Sequence, residues 1–172
     1  MKVVISKSSP GGKITVPSSK SMTIRALFFA SVAKGVSEIH TPLVSEDTNY
    51  AVSVLSKIGT EIEDINGVWH VRGGHFKIPL DELYCGESAT TMRFLVALAA
   101  LLPGTIRITG GPSLIQRPIR ALVDALKMLG VKGTTATPLN PPVTFQGGTF
   151  RGGVAEIAGN VSSQYISALL MI

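Results

Sequence analysis

The sequence predicts an α/β protein built from repeated α/β units around a pseudo-symmetry axis, of which it holds two and the start of a third. Three observations carry that prediction. Two stretches about 70 residues apart share one order of features: a small polar opening, an apolar helix, a glycine and a strand. A second amphipathic helix and further strands follow each of them. A third small polar cluster near residue 160 then opens another apolar run.

The first helix opens at Ser19-Lys20-Ser21-Met22-Thr23-Ile24-Arg25 and runs on to a glycine stop at Ala33-Lys34-Gly35. Val36 to His40 read as a strand. A second helix runs from about Asp47 to Ile58 and stops at Gly59. Its apolar residues Ala51, Val54, Leu55 and Ile58 fall on one stripe. Glu46 and Asp47 are acidic residues suited to a helix opening. Strands follow over Glu61–Asp64 and Val68–Arg72.

The second copy begins at Glu87-Ser88-Ala89-Thr90-Thr91-Met92-Arg93, and its helix stops at Leu102-Pro103-Gly104. Aligning the copies by sequence sets Arg93 under Arg25. Thr105–Thr109 is the matching strand. Ile119 to Leu129 is the matching helix, striped by Leu122, Ala125, Leu126 and Leu129 and stopped by Gly130. Short strands are expected over Lys132–Ala136 and Val143–Gln146. The third copy opens at Gly159-Asn160-Val161-Ser162-Ser163-Gln164-Tyr165 and ends within an apolar helix that has no cap. That ending reads as a piece of something longer.

Composition narrows the function classes. The 172 residues are 45% hydrophobic and 16% charged, which suits a folded core rather than disorder. A net charge of +5 suits an anionic partner. Aromatics make up only 6% and the basic residues are dispersed, which argues against single-stranded nucleic acid as the partner. The longest wholly apolar run is Phe94–Leu102, far short of the roughly 20 residues of a membrane helix. The first five residues are too short for a signal peptide, so the expected location is the cytoplasm, with no membrane partner. Cys85 is the only cysteine and reads as a small buried hydrophobe. His40, His70 and His75 lack metal-ligand spacing, so neither a metal nor a cofactor is expected. Gly11-Gly12-Lys13-Ile14 fails the phosphate-loop pattern, and the sequon Asn160-Val161-Ser162 has no secretory context. No Ser/His/Asp arrangement and no pair of catalytic carboxylates stands out.

The chemistry lies at the helix starts. Small residues there leave backbone N–H groups and the positive end of the helix dipole open to an anion. Ser21, Thr90, Ser162 and Ser163 offer hydroxyls; Lys20 and Arg25 offer charge. A plain N-cap is the alternative for any one of these starts. Three equivalent starts in a pseudo-symmetric fold can converge on one point. Arg117 precedes Pro118, expected in the first turn of the next helix, and so projects at another helix start.

Ser18-Ser19-Lys20-Ser21-Met22-Thr23-Ile24-Arg25-Ala26-Leu27 resembles the first signature of the EPSP synthase (3-phosphoshikimate 1-carboxyvinyltransferase) family. Gly86-Glu87-Ser88-Ala89-Thr90-Thr91-Met92-Arg93 resembles the second. Arg117-Pro118-Ile119 with Leu122-Val123-Asp124-Ala125-Leu126 resembles the third. Gly159 to Tyr165 with Ala168-Leu169-Leu170-Met171 is similar to the fourth. The four come in the family's order along essentially the whole chain.

The resemblance implies an inside-out α/β barrel of two domains, each with three units around a pseudo-threefold axis. It makes residues 1–15 a strand that normally belongs to the C-terminal domain. Residues 16–172 become a partial N-terminal, substrate-binding domain with units at about 16–84 and 85–152 and a third begun over 153–172. The implied reaction transfers the enolpyruvyl group of phosphoenolpyruvate to the 5-hydroxyl of shikimate 3-phosphate, a step towards chorismate and the aromatic amino acids. By resemblance, Lys20, Ser21, Arg25, Ser162, Ser163 and Gln164 hold shikimate 3-phosphate. Lys20, Ala89, Thr90, Arg117 and Gln164 face phosphoenolpyruvate. The family's main acid–base residues lie in the C-terminal domain, so no catalytic residue is named and the piece is expected to bind substrate without turning it over. Ala89 stands where the family often has glycine; its methyl group would narrow the pocket against glyphosate, which implies tolerance. The alternatives are an enolpyruvyl transferase acting on a UDP-amino sugar and a non-catalytic anion- or RNA-binding module. A truncated face would also promote self-association.

Overall fold

The computed structural model describes residues 3–4, 6–9 and 11–172. The first unit contains α1 (Lys20–Val32), β1 (Gly35–His40), α2 (Glu46–Lys57), β2 (Glu61–Ile65) and β3 (Val68–Gly73). The second contains β4 (Leu83–Tyr84), α3 (Ala89–Leu101), β5 (Gly104–Thr109), a 3-10 turn (Leu114–Gln116), α4 (Arg120–Met128), β6 (Lys132–Thr135) and β7 (Val143–Gly147). α5 (Ser163–Leu169) opens the third. The described residues before Ser18 form neither helix nor strand and are exposed. Residues 1, 2, 5 and 10 of the expected first strand lie outside the described residues.

The repeat is one of topology. Strands pair in the order β1-β3-β2 in one sheet, all antiparallel, and β5-β7-β6 repeats that order in the other. β4 extends the second sheet, parallel to β5. It spans two residues, too few for a periodic signal, and went unpredicted, as did the 3-10 turn. Through β4, Leu83 and Tyr84 join the second sheet, although the sequence repeat divides after Tyr84.

The glycine stops serve two purposes. α2 and α4 end in Schellman caps: Gly59 and Gly130 take positive φ, while Thr60 N–H bonds Leu55 O and Val131 N–H bonds Leu126 O. α1 and α3 end differently. Their cap residues Ala33 and Leu102 are extended, so Gly35 and Gly104 open strands instead of capping helices. The last carbonyls of these two helices turn towards the ends of β3 and β7. Gly74 N–H bonds Ser31 O at 2.9 Å, and Gly148 N–H bonds Ala100 O at 3.3 Å. That approach requires Gly73 and Gly147, since a Cβ on either would collide with the helix-end carbonyls.

The caps also correct the alignment of the copies. α1 and α3 are each 13 residues long, with Ser19 and Ser88 at their N-caps. Counted from those caps, the counterpart of Arg25 is Phe94, and that of Arg93 is the buried Ile24. The recurring arginine is therefore a one-residue slip and points two different ways. Pro118 likewise sits before the N-cap Ile119 and not in the first turn of α4.

α3 is the axis of the core. Every residue from Thr90 to Ala100 except Arg93 is buried, with α1, α2, α4, α5 and the second sheet packed around it. Each large apolar side chain so buried contributes about 1.5–3 kcal/mol. α1 keeps an open face, where Met22 and Phe29 are 65% and 52% exposed. Cys85 is fully buried, as its composition context suggested.

Candidate functional site

Six of the nine predicted site residues occupy the first two positions of three helices: Lys20 and Ser21 in α1, Ala89 and Thr90 in α3, Ser163 and Gln164 in α5. Ser162 is the N-cap of α5, its hydroxyl accepting from Gln164 N–H at 3.3 Å. Ser19 caps α1 by accepting from Met22 N–H. The Ser88 hydroxyl accepts no capping N–H from α3. It is instead 2.8 Å from that of Thr91, both buried.

Side chains tie the starts together. Gln164 Nε2 donates to Thr90 Oγ1 at 2.9 Å, joining the starts of α5 and α3. Arg93 Nη1 donates to Gln164 Oε1 at 2.6 Å and Ser162 Oγ at 3.2 Å. Its guanidinium lies 5.1 Å from the Tyr165 ring centroid. Lys20 Nζ is 2.6 Å from Asp47 Oδ2 in the first turn of α2. The Asp47 carbonyl in turn accepts from Thr91 Oγ1 at 3.5 Å. The start of α1 thus reaches that of α3 through Asp47.

Arg25 lies over the Phe94 ring at 5.4 Å and donates to Ser21 O at 3.3 Å. Arg117 is exposed on the turn before α4. Neither is ion-paired within the described residues. Their charges remain available to an anion. Glu87 holds the start of the turn that carries Arg117: its carboxylate accepts from Ser113 N–H at 3.2 Å and Leu114 N–H at 2.7 Å. The site is an open face, and the two largest hollows lie at different ends of the helices: the first borders the start of α1, the second is at the far ends of α2 and α3. One of about 390 Å³ runs between the start of α1 and β1 past Ser18, Met22 and Thr41. One of about 380 Å³ lies under the 77–81 loop beside Lys57.

Asp47, Glu87, Thr91 and Arg93 belong to this network and were not predicted as site residues. Asp47 was read only as a helix opener, and an acidic residue is a natural counter-ion for Lys20. Glu87 and Arg93 stood inside a quoted motif, but their partners lie 26 and about 70 residues away, beyond the reach of local pattern. Among the described residues no cluster of three or more metal-ligating groups occurs, and no helix is long and apolar enough to cross a membrane.

The family model for EPSP synthase (3-phosphoshikimate 1-carboxyvinyltransferase) matches residues 6–172. The chain belongs to the EPSP synthase family. A 3-phosphoshikimate 1-carboxyvinyltransferase of Dehalococcoides mccartyi is 42% identical across all of this chain and 41% of its own length. One from Methanothermobacter thermautotrophicus is 39% identical over 93% of this chain and 38% of its own. A solved EPSP synthase from Acinetobacter baumannii superposes with a TM-score of 0.83 at 30% identity, over 93% of this chain and 37% of that one. The chain therefore spans about two fifths of the length of the relatives it matches. The family's architecture accounts for the repeat: the two sheets, their inner helices α1 and α3, and α5 are successive units of one pseudo-threefold design.

Proposed function

We propose that this chain forms the shikimate 3-phosphate-binding half of a cytoplasmic enolpyruvyl transferase, with one edge of the phosphoenolpyruvate site. The observation that carries the reading is the linkage of three helix starts by Lys20–Asp47–Thr91 and Arg93–Gln164–Thr90. Arg25 and the hydroxyls of Ser21, Ser162 and Ser163 meet the phosphate and hydroxyls of shikimate 3-phosphate. Lys20 and Gln164 stand between the two substrates. Arg117, Ala89 and Thr90 face phosphoenolpyruvate. Family membership supports these roles, and so does the absence of a carboxylate partner for Arg25 and Arg117 among the described residues.

In the reaction, the 5-hydroxyl adds to C2 of phosphoenolpyruvate while C3 gains a proton, and phosphate then leaves the tetrahedral intermediate. This chain's part is to bind, orient and neutralise the two anions. No acid–base role is assigned to its residues. An open face leaves developing charge in water, so closure by a second wall is the step that dries the site. Residues 1–15 belong, on this reading, to that second domain.

Calorimetric titration tests the reading. Shikimate 3-phosphate binds one to one, more tightly than inorganic phosphate, a UDP-amino sugar or a short RNA, and Ser163→Ala weakens it. Preference for the UDP-amino sugar or the RNA, or equal weak binding of all four, contradicts it.

A further inference from the structure

We propose that Tyr165 is a positioning residue whose hydroxyl tethers the Arg117 turn to the start of α5, so that the two substrate-facing clusters hold one geometry. The inference rests on the function proposed above. Tyr165 is 1% exposed and sits in the first turn of the seven-residue α5. Its hydroxyl donates to Pro118 O at 2.5 Å, one residue beyond Arg117. The same ring carries the Arg93 guanidinium, which holds Ser162 and Gln164. One side chain therefore touches both clusters: the neighbours of Ser163 through Arg93, and the neighbour of Arg117 through its own hydroxyl.

The turn has few other holds. At its near end Glu87 binds the amides of Ser113 and Leu114. At its far end Ile119 N–H and Arg120 N–H both bond Leu139 O. Arg117 N–H bonds only Leu114 O, within the 3-10 turn itself. The Tyr165 bond is the one side-chain hydrogen bond to the backbone between these ends among the described residues. A buried phenol without a partner would carry an unsatisfied donor, so ring and carbonyl fix each other. Burial pushes the phenol above its usual range, with Arg93 opposing that shift, so the hydroxyl keeps its proton and remains a donor through neutral pH.

A purely structural role for the ring is the competing account, and Tyr165→Phe separates the two. Phenylalanine keeps the buried ring beneath Arg93 and removes the hydroxyl, and with it the bond to Pro118 O. Two readouts are taken on the whole chain. In hydrogen exchange, residues 114–120 exchange at least about fivefold faster in Tyr165→Phe while α3 is unchanged, the local opening expected when one hydrogen bond is lost. In titration, phosphoenolpyruvate added with shikimate 3-phosphate present weakens about tenfold, while shikimate 3-phosphate alone changes less than twofold. Unchanged exchange at 114–120, or faster exchange spread over α3 and α5 alike, overturns the tether. Equal weakening of both ligands overturns the positioning role. If the parent chain binds neither ligand but the localised exchange change is seen, the functional reading fails and the tether stands.

Discussion

The first and second units share a topology and differ in what their inner helices face. α3 is wrapped on all sides and its start is neutral, Ala89-Thr90. α1 is packed on one side only and its start is basic, Lys20-Ser21, with Arg25 one turn on. The repeat supplies the scaffold: equal helix lengths, the same strand order, and a glycine in each sheet where the helix-end carbonyls press in. The departures from it supply the proposed site. Where unit one has lysine, unit two has a methyl group; where unit one has Arg25, unit two has the Phe94 ring on which that arginine rests.

The largest expected effect tests the shared part. Gly73→Val and Gly147→Val each drive a side chain into the helix-end carbonyls and should each cost about 3 kcal/mol or more, read by denaturant unfolding. Gly147→Val should be the worse, because α3 lies at the centre of the core. A harmless Gly147→Val would mean that the two sheets do not hold their helices in the same way.

Next come the arginines, which the sequence alignment equates and the caps separate. Arg25→Met should weaken shikimate 3-phosphate about hundredfold, the loss of a charge-assisted contact, and leave the melting temperature nearly unchanged. Arg93→Met should lower stability by about 1.5–3 kcal/mol, because it frees Ser162 and Gln164 and uncovers Tyr165. The reverse pattern in paired titration and thermal unfolding would restore the sequence alignment.

These two sites show what local pattern could reach. Helix periodicity, glycine stops and small polar openings gave every long element, because each rests on contacts within a few residues. The first two positions of each inner helix were legible for the same reason. The register of Arg25 against Arg93 was not, since the alignment took its frame from the arginines and a cap is decided by backbone dihedrals. Contacts spanning many residues were also beyond reach: Lys20 with Asp47, Glu87 with the Ser113 and Leu114 amides, Tyr165 with Pro118.

A smaller effect concerns Ala89. Ala89→Gly should cost at most about 1 kcal/mol of stability in the first helical position, and glyphosate should then compete more tightly with phosphoenolpyruvate in a displacement titration. Unchanged competition would remove the argument from the methyl group.

A last effect appears only in alkaline solution and is set by pH. Burial pushes the Cys85 thiol far above its usual range. An unfolded thiol ionises near about 8.5, so above that pH the folded state holds the extra proton and stability falls as pH rises, by up to about 1.4 kcal/mol per unit. Below it the contribution is fully present. Cys85→Ala should flatten that part of the pH–stability profile; an unaltered slope would assign it to other groups.

The central claim is that three helix starts act as one site. Backbone amide shifts during a shikimate 3-phosphate titration test it most directly. The account predicts that the amides of Ser21, Thr90 and Ser163 move together along a single binding curve, and that Arg25→Ala weakens the response at all three. Movement at one start alone, or three different midpoints, would contradict it.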